Sequence, residues 1–162
     1  MQLAQVSKVV GCIQPIDTGG VARLGAHVNF SKFEHVTWIV SIGAIGNACT
    51  ITMLAGTDAL GTGGVAMGFS YYLSTGGAPL VTEVASALVT VGAGGYAFAA
   101  ATDDNEVMVI EMDAAELVAP LTNIYVGPNL SNAAACLASA VAICYWPRYA
   151  AGPALTPSAI VA

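Results

Sequence analysis

Apolar positions along this chain recur every second residue rather than every third or fourth. From His35 to Ile42, Val36, Trp38, Val40 and Ile42 fall on one side, and His35, Thr37, Ile39 and Ser41 on the other. A period of two, carried by β-branched and aromatic residues, is the pattern of a half-buried strand. Residues 48–54 repeat it, with Cys49, Ile51 and Met53 opposite Thr50 and Thr52. Residues 106–113 set Met108, Ile110 and Met112 against Val107, Val109 and Glu111. The same reading predicts strands over 5–13, 26–30, 65–73, 80–91, 95–101, 121–126 and 134–146. Breaks rich in Gly, Asp, Asn, Thr and Pro separate them at 17–20, 43–47, 61–64, 75–77, 92–95, 103–105 and 127–129. Short alternating runs at this spacing predict an all-β fold, a jelly-roll-like β-sandwich or barrel with at most one or two short helical turns. The best such turn is 113–117, where Asp113 can cap and Glu116 stands at the capping-box distance.

The run from Ala133 to Trp146 is apolar enough to be a buried helix. Read as a strand, it sorts by size instead: Leu137, Val141, Ile143 and Tyr145 lie on one face, and Cys136, Ala138, Ala140, Ala142 and Cys144 on the other. The strand is the favoured reading, and its smooth alanine face would let another layer approach closely. After Pro147 the pattern changes. Pro147, Pro153 and Pro157 oppose a ladder, no charge occurs from Ala150 to Ala162, and the end is Ile160-Val161-Ala162. The expected organisation is a β-sandwich domain over 1–147, with an N-terminal strand or arm, and an extended C-terminal arm over 148–162 that lies on a neighbour or frays.

Composition sharpens this picture. Of 162 residues, 56% are hydrophobic and only 9% charged, with four basic and ten acidic side chains and a net charge of -6. A soluble domain ordinarily has about 25% charged residues. The apolar content excludes a disordered chain. The scarcity of Lys8, Arg23, Lys32 and Arg148 excludes a protein that tracks nucleic-acid phosphates. So few charges cannot coat a lone surface, which points to an obligate assembly. A membrane-spanning helix would need about 20 consecutive apolar residues, and the run from Ala133 to Trp146 is too short. The N-terminus lacks a basic start followed by an apolar core, so neither general secretion nor a membrane location is expected.

Candidate chemistry is thin. Cys12, Cys49, Cys136 and Cys144 show no C-x-x-C spacing and read as reduced, apolar packing groups. His27 and His35 have no nearby third ligand and read as polar strand residues, so no metal is expected. No Gly-x-Ser-x-Gly elbow accompanies them. Gly61-Thr-Gly-Gly64 lacks the Lys-Ser/Thr of a phosphate loop and reads as a hairpin loop. Asp103, Asp104, Glu106, Glu111, Asp113 and Glu116 crowd one stretch without the calcium-loop pattern. They read as a solvated hairpin and turn, and would also suit a basic partner. Trp38, Phe69, Tyr71 and Tyr72 have no interleaved bases and form no nucleic-acid platform. In Trp146-Pro-Arg148-Tyr149, an Arg between aromatics suits an interface anchor. With Leu155, Ile160 and Val161 of the arm, Trp146, Arg148 and Tyr149 are the candidate interface residues. No catalytic residue, cofactor or metal site is expected.

The start, Val6-Ser-Lys-Val-Val-Gly11, and the end, Arg148-Tyr-Ala-Ala-Gly-Pro-Ala-Leu-Thr-Pro-Ser-Ala-Ile-Val161, resemble those of small virion proteins of tailed bacteriophages. With the Thr/Gly/Ala-rich strands between them, the chain is similar over its full length, loosely, to capsid decoration, or cement, proteins. No catalytic motif defines that group. The resemblance implies a jelly-roll-like β-fold, often trimeric, seated on the capsid exterior, with the major capsid protein and sister copies as partners and no enzyme activity. Synthesis in the host cytoplasm goes with it. The low Lys/Arg content departs from cement proteins that grip by basic patches, and favours apolar and strand-edge contacts. A phage tail or fibre-base component, or a small glycan-binding β-sandwich using Trp and Tyr, is the alternative.

Overall fold

The computed structural model describes residues 7–46, 48–74, 87–99, 102–117, 122–132 and 136–147, without the side chains of Asn132, Trp146 and Pro147. The strands, in chain order, are β1 (Ser7–Asp17), β2 (Arg23–Leu24), β3 (Val28–Asn29), β4 (Phe33–Ile45), β5 (Cys49–Gly56) and β6 (Val65–Met67). They continue with β7 (Phe69–Leu73), β8 (Val89–Val91), β9 (Tyr96–Phe98), β10 (Glu106–Asp113), β11 (Tyr125–Asn132) and β12 (Cys136–Pro147). They build two six-stranded antiparallel sheets. The first has the order β1-β12-β4-β10-β7-β8. The second has the order β2-β11-β5-β6, with β3 also paired to β11 and β9 to β5. The fold is therefore an all-β sandwich, not a closed barrel. A 3-10 turn over Ala114–Glu116 follows β10, and the Asp113 N–H donates to Glu116 Oε2 at 3.3 Å, as half of a capping box would. Among the described residues no helix is long and apolar enough to cross a membrane.

The period-two pattern sorts residues as expected. Val36, Trp38, Val40 and Ile42 of β4, and Met108, Ile110 and Met112 of β10, are buried against Cys49, Ile51 and Met53 of β5. β12 turns its small face inward: Cys136, Ala138, Ala140, Ala142 and Cys144 are all core residues. The cross-strand row Val10–Ala142–Trp38–Ile110–Tyr71 shows why. Ala142 lies beside Trp38, the largest fully buried side chain among the described residues, and a small neighbour leaves the indole its room.

Three local expectations shift. The single strand expected over 65–73 breaks at Gly68, with β6 in the second sheet and β7 in the first. A Cβ on Gly68 would come within 2.8 Å of the Val91 carbonyl oxygen. The break expected at 127–129 lies inside β11. Pro128 is tolerated there because the partner on that side changes, from β3 opposite Tyr125 and Val126 to β2 opposite Asn129 and Leu130. The Pro128 carbonyl instead accepts from the Gly25 N–H at 2.8 Å. β1 runs past Ile13 to Asp17, accommodating Pro15 as an edge strand with irregular register between Gly11 and Ile16.

Candidate interaction surface

The two outer faces of the sandwich differ in chemistry. On the second sheet, Thr50 and Thr52 of β5 face Ser131 and Asn129 of β11. Asn129 Nδ2 donates to Thr52 Oγ1 at 3.3 Å, and Ser131 Oγ donates to the Thr50 carbonyl at 3.4 Å. Leu24, Leu54, Ala66 and Ala97 are apolar members of this face, around its Thr, Asn and Ser centre.

The first sheet's outer face is apolar at its centre. In register across four strands run Val141 of β12, Ile39 of β4, Val109 of β10 and Tyr72 of β7. Residues directly opposed in antiparallel strands share a face and touch. The row beside it begins with Val9 and Ile143 and continues through Thr37, Glu111, Ser70 and Thr90. On the other side lie Ser139, Ser41 and Val107. Val9 and Leu137 are 55% and 51% exposed. Near Leu137 a shallow groove of about 350 Å³ is lined by Pro15, Ile16, Ser41, Gly43 and Ser139. The larger apolar side of β12 thus points outward, because the inner position beside Trp38 requires the smaller one.

Charge stands towards the two ends of this face, with Asp17 opposite Leu137 at one end and a His35–Asp113 pair at the other. His35 Nδ1 lies 2.8 Å from Asp113 Oδ1, and Glu111 stands one row away. The remaining acids are dispersed. Asp103 Oδ2 accepts from Tyr96 Oη and the Ala99 N–H, and Asp104 Oδ1 accepts from the Ile45 N–H at 2.8 Å. Glu106 is buried. These are loop-tying roles, and no group of three or more metal-binding side chains occurs among the described residues. Burial and the nearby Asp103 carboxylate push the Tyr96 phenol well above its ordinary range.

The two histidines are not brought together as a site. His35 is on the first sheet's outer face, as a polar strand residue should be. His27 precedes β3 and is fully buried. Its Nδ1 lies 2.9 Å from the Gly25 carbonyl, which can only accept, so Nδ1 carries the proton. Nε2 is then a bare lone pair with no hydrogen-bond partner. The ring fills a slot walled by Gly61 and Gly127, where a Cβ would come within 2.5 Å and 2.7 Å of ring atoms. The Gly61-Thr-Gly-Gly64 segment is the β5–β6 hairpin loop, and it serves as the lid of this slot.

Burial lowers the His27 pKa below 6.5, against the raising effect of the Gly25 carbonyl and Asp58. The folded state rejects a proton that the unfolded chain accepts near pH 6.5. Stability is therefore full above that pH and falls as the pH drops below it, by up to about 1.4 kcal/mol per unit until the folded pKa is passed. Urea midpoints should be lower at pH 5 than at pH 7.5, and His27→Gln should flatten the difference. Equal wild-type midpoints would refute this account.

Trp38, Phe69 and Tyr71 are core residues, so they form no exposed aromatic platform; Tyr72 is the one that reaches the outer face. Of the candidate interface residues, Trp146 has its backbone in β12. Its side chain, and Arg148, Tyr149, Leu155, Ile160 and Val161, lie outside the described residues. The residues missed as a surface are Val9, Ile39, Val109, Val141 and Ile143. Their signal was the apolar content of the second face of each strand. Compared with protein-family models, curated proteins and solved structures, the chain matches none.

Proposed function

We propose that this chain is a structural subunit of the capsid decoration, or cement, type, which seats the apolar outer face of its first sheet on neighbouring subunits at the outside of a bacteriophage shell. The observation that carries the reading is the four-strand apolar row Val141–Ile39–Val109–Tyr72, set against the Thr/Asn/Ser centre of the opposite face. A chain with this little charge gains by covering such a row, at roughly 25 cal/mol per Å² of apolar surface removed from water. The partners are sister copies, with a trimer as the expected state, and the major capsid protein. Several weak contacts per subunit then act together against rupture of the lattice. Binding of this kind resists salt, because few ion pairs are available for screening.

Light scattering on the purified chain tests the reading. The expected result is a mass above one chain that persists in about 1 M salt, where the screening length is roughly 3 Å. Ile39→Glu with Val141→Glu should reduce it to a single-chain mass and abolish co-sedimentation with undecorated shells, with the β circular-dichroism signal retained. A single-chain wild-type mass together with no shell binding would overturn the proposal.

A further inference from the structure

Two of the four buried thiols meet across the sandwich. Cys49 opens β5 in the second sheet and Cys136 opens β12 in the first. They are 0% and 1% exposed members of one core cluster, set where the β4–β5 connection, Ile45 to Cys49, runs beside the β11–β12 connection, Asn132 to Cys136, and each thiol is near enough to influence the other. No strand pairing joins these residues: Cys49 is matched with Asn132 and Phe98, and Cys136 with Ile45. The contact is therefore between layers. Cys136 is also held in place, since its N–H donates to Thr18 Oγ1 at 3.1 Å and its carbonyl accepts from the Thr18 N–H at 2.9 Å.

We infer that Cys49 and Cys136 form a latent inter-sheet disulfide site, closed by exchange with a small-molecule disulfide when the ends of β5 and β12 open. This inference is independent of the function proposed above. One cysteine thiol, losing its proton, attacks the small disulfide to give a mixed disulfide and one released thiolate, which takes up a proton. The second cysteine thiolate then attacks the protein-side sulfur and expels the second small thiol. The two cysteines are oxidised by two electrons, the reagent is reduced to two thiols, and both protons end on the released thiols.

The closed sandwich protects the pair. Burial pushes the Cys49 thiol up to about 12 and raises that of Cys136, so neither is a nucleophile at neutral pH while the layers are packed. Opening is needed, and each residue is the first of its strand, where local opening costs less than at a strand centre. Cys12 and Cys144 also influence each other, but they lie on the already paired strands β1 and β12. A bond there would tie together what the ladder already holds.

The test uses the full chain incubated with oxidised glutathione in urea just below its unfolding midpoint. Two of the four alkylatable thiols should disappear, and peptide mapping should link 49 to 136. Closing a loop of about 90 residues should raise the melting temperature by roughly 10 °C. Cys12→Ala should still lose two thiols; Cys49→Ala should lose none, and the wild-type map decides the matter should that variant not fold. Retention of all four thiols, a 12–144 link, or a mapped 49–136 bond with no gain in melting temperature would each overturn the inference.

Discussion

Replacing Gly95 with alanine is expected to destabilise the protein by at least about 3 kcal/mol, or to prevent folding at 37 °C. Two effects combine. Gly95 has φ +76°, a left-handed conformation that costs a residue with a side chain roughly 1–2 kcal/mol. A Cβ at that position would also overlap the Ile51 carbonyl oxygen, with Thr52 Cγ2 at 2.7 Å. That oxygen belongs to β5, the strand that β9 joins through the pairs Ile51–Tyr96 and Cys49–Phe98. Relief would require β9 to move away, breaking up the contact of Tyr96 with Tyr71 of β7, whose ring centroids lie 5.0 Å apart. Gly94→Ala is the control, because a Cβ there meets nothing within 4 Å. Urea midpoints for the two variants should differ widely; similar midpoints would contradict the argument.

Trp38→Ala should cost about 3–5 kcal/mol, through lost burial and the cavity left behind. The indole is fully buried and stacks near Phe30, with centroids 6.0 Å apart. Its neighbour Ala142 is too small to fill the gap. Trp38→Phe should cost far less. The indole Nε1 finds no hydrogen-bond partner, although the Cys12 thiol is close by. An unpaired buried donor carries a desolvation penalty of about 1–3 kcal/mol, and phenylalanine removes the donor along with part of the bulk. Denaturant unfolding of both variants gives the comparison. A phenylalanine variant as unstable as the alanine variant would show that the indole N–H contributes more than the volume, against its reading as an orphaned donor.

The sandwich class and the inward faces of β4, β5 and β10 were legible in the sequence because alternation fixes which residues share a side. Alternation does not say which side of a two-sided apolar strand goes inward. In β12 hydrophobicity alone would send Leu137, Val141, Ile143 and Tyr145 to the core. Size decides otherwise, since Trp38 occupies the adjacent space, and that adjacency is a matter of sheet order rather than of local sequence. The apolar outer face of the first sheet was hidden for the same reason. The charge deficit led to the expectation of a covered surface and directed it to the uncharged segment after Pro147, which lies outside the described residues, while the middle of the first sheet went unremarked. The sheet change at Gly68 and the place of Pro128 inside β11 were likewise set by partners distant in sequence.

The passage of one chain from β6 to β7 at Gly68 has a mechanical corollary. A load applied to the first layer through its apolar side is handed at that corner directly to the second, by covalent bonds rather than by side-chain friction alone. The layers should therefore resist sliding as a unit and give way together, which is the behaviour wanted of a rivet.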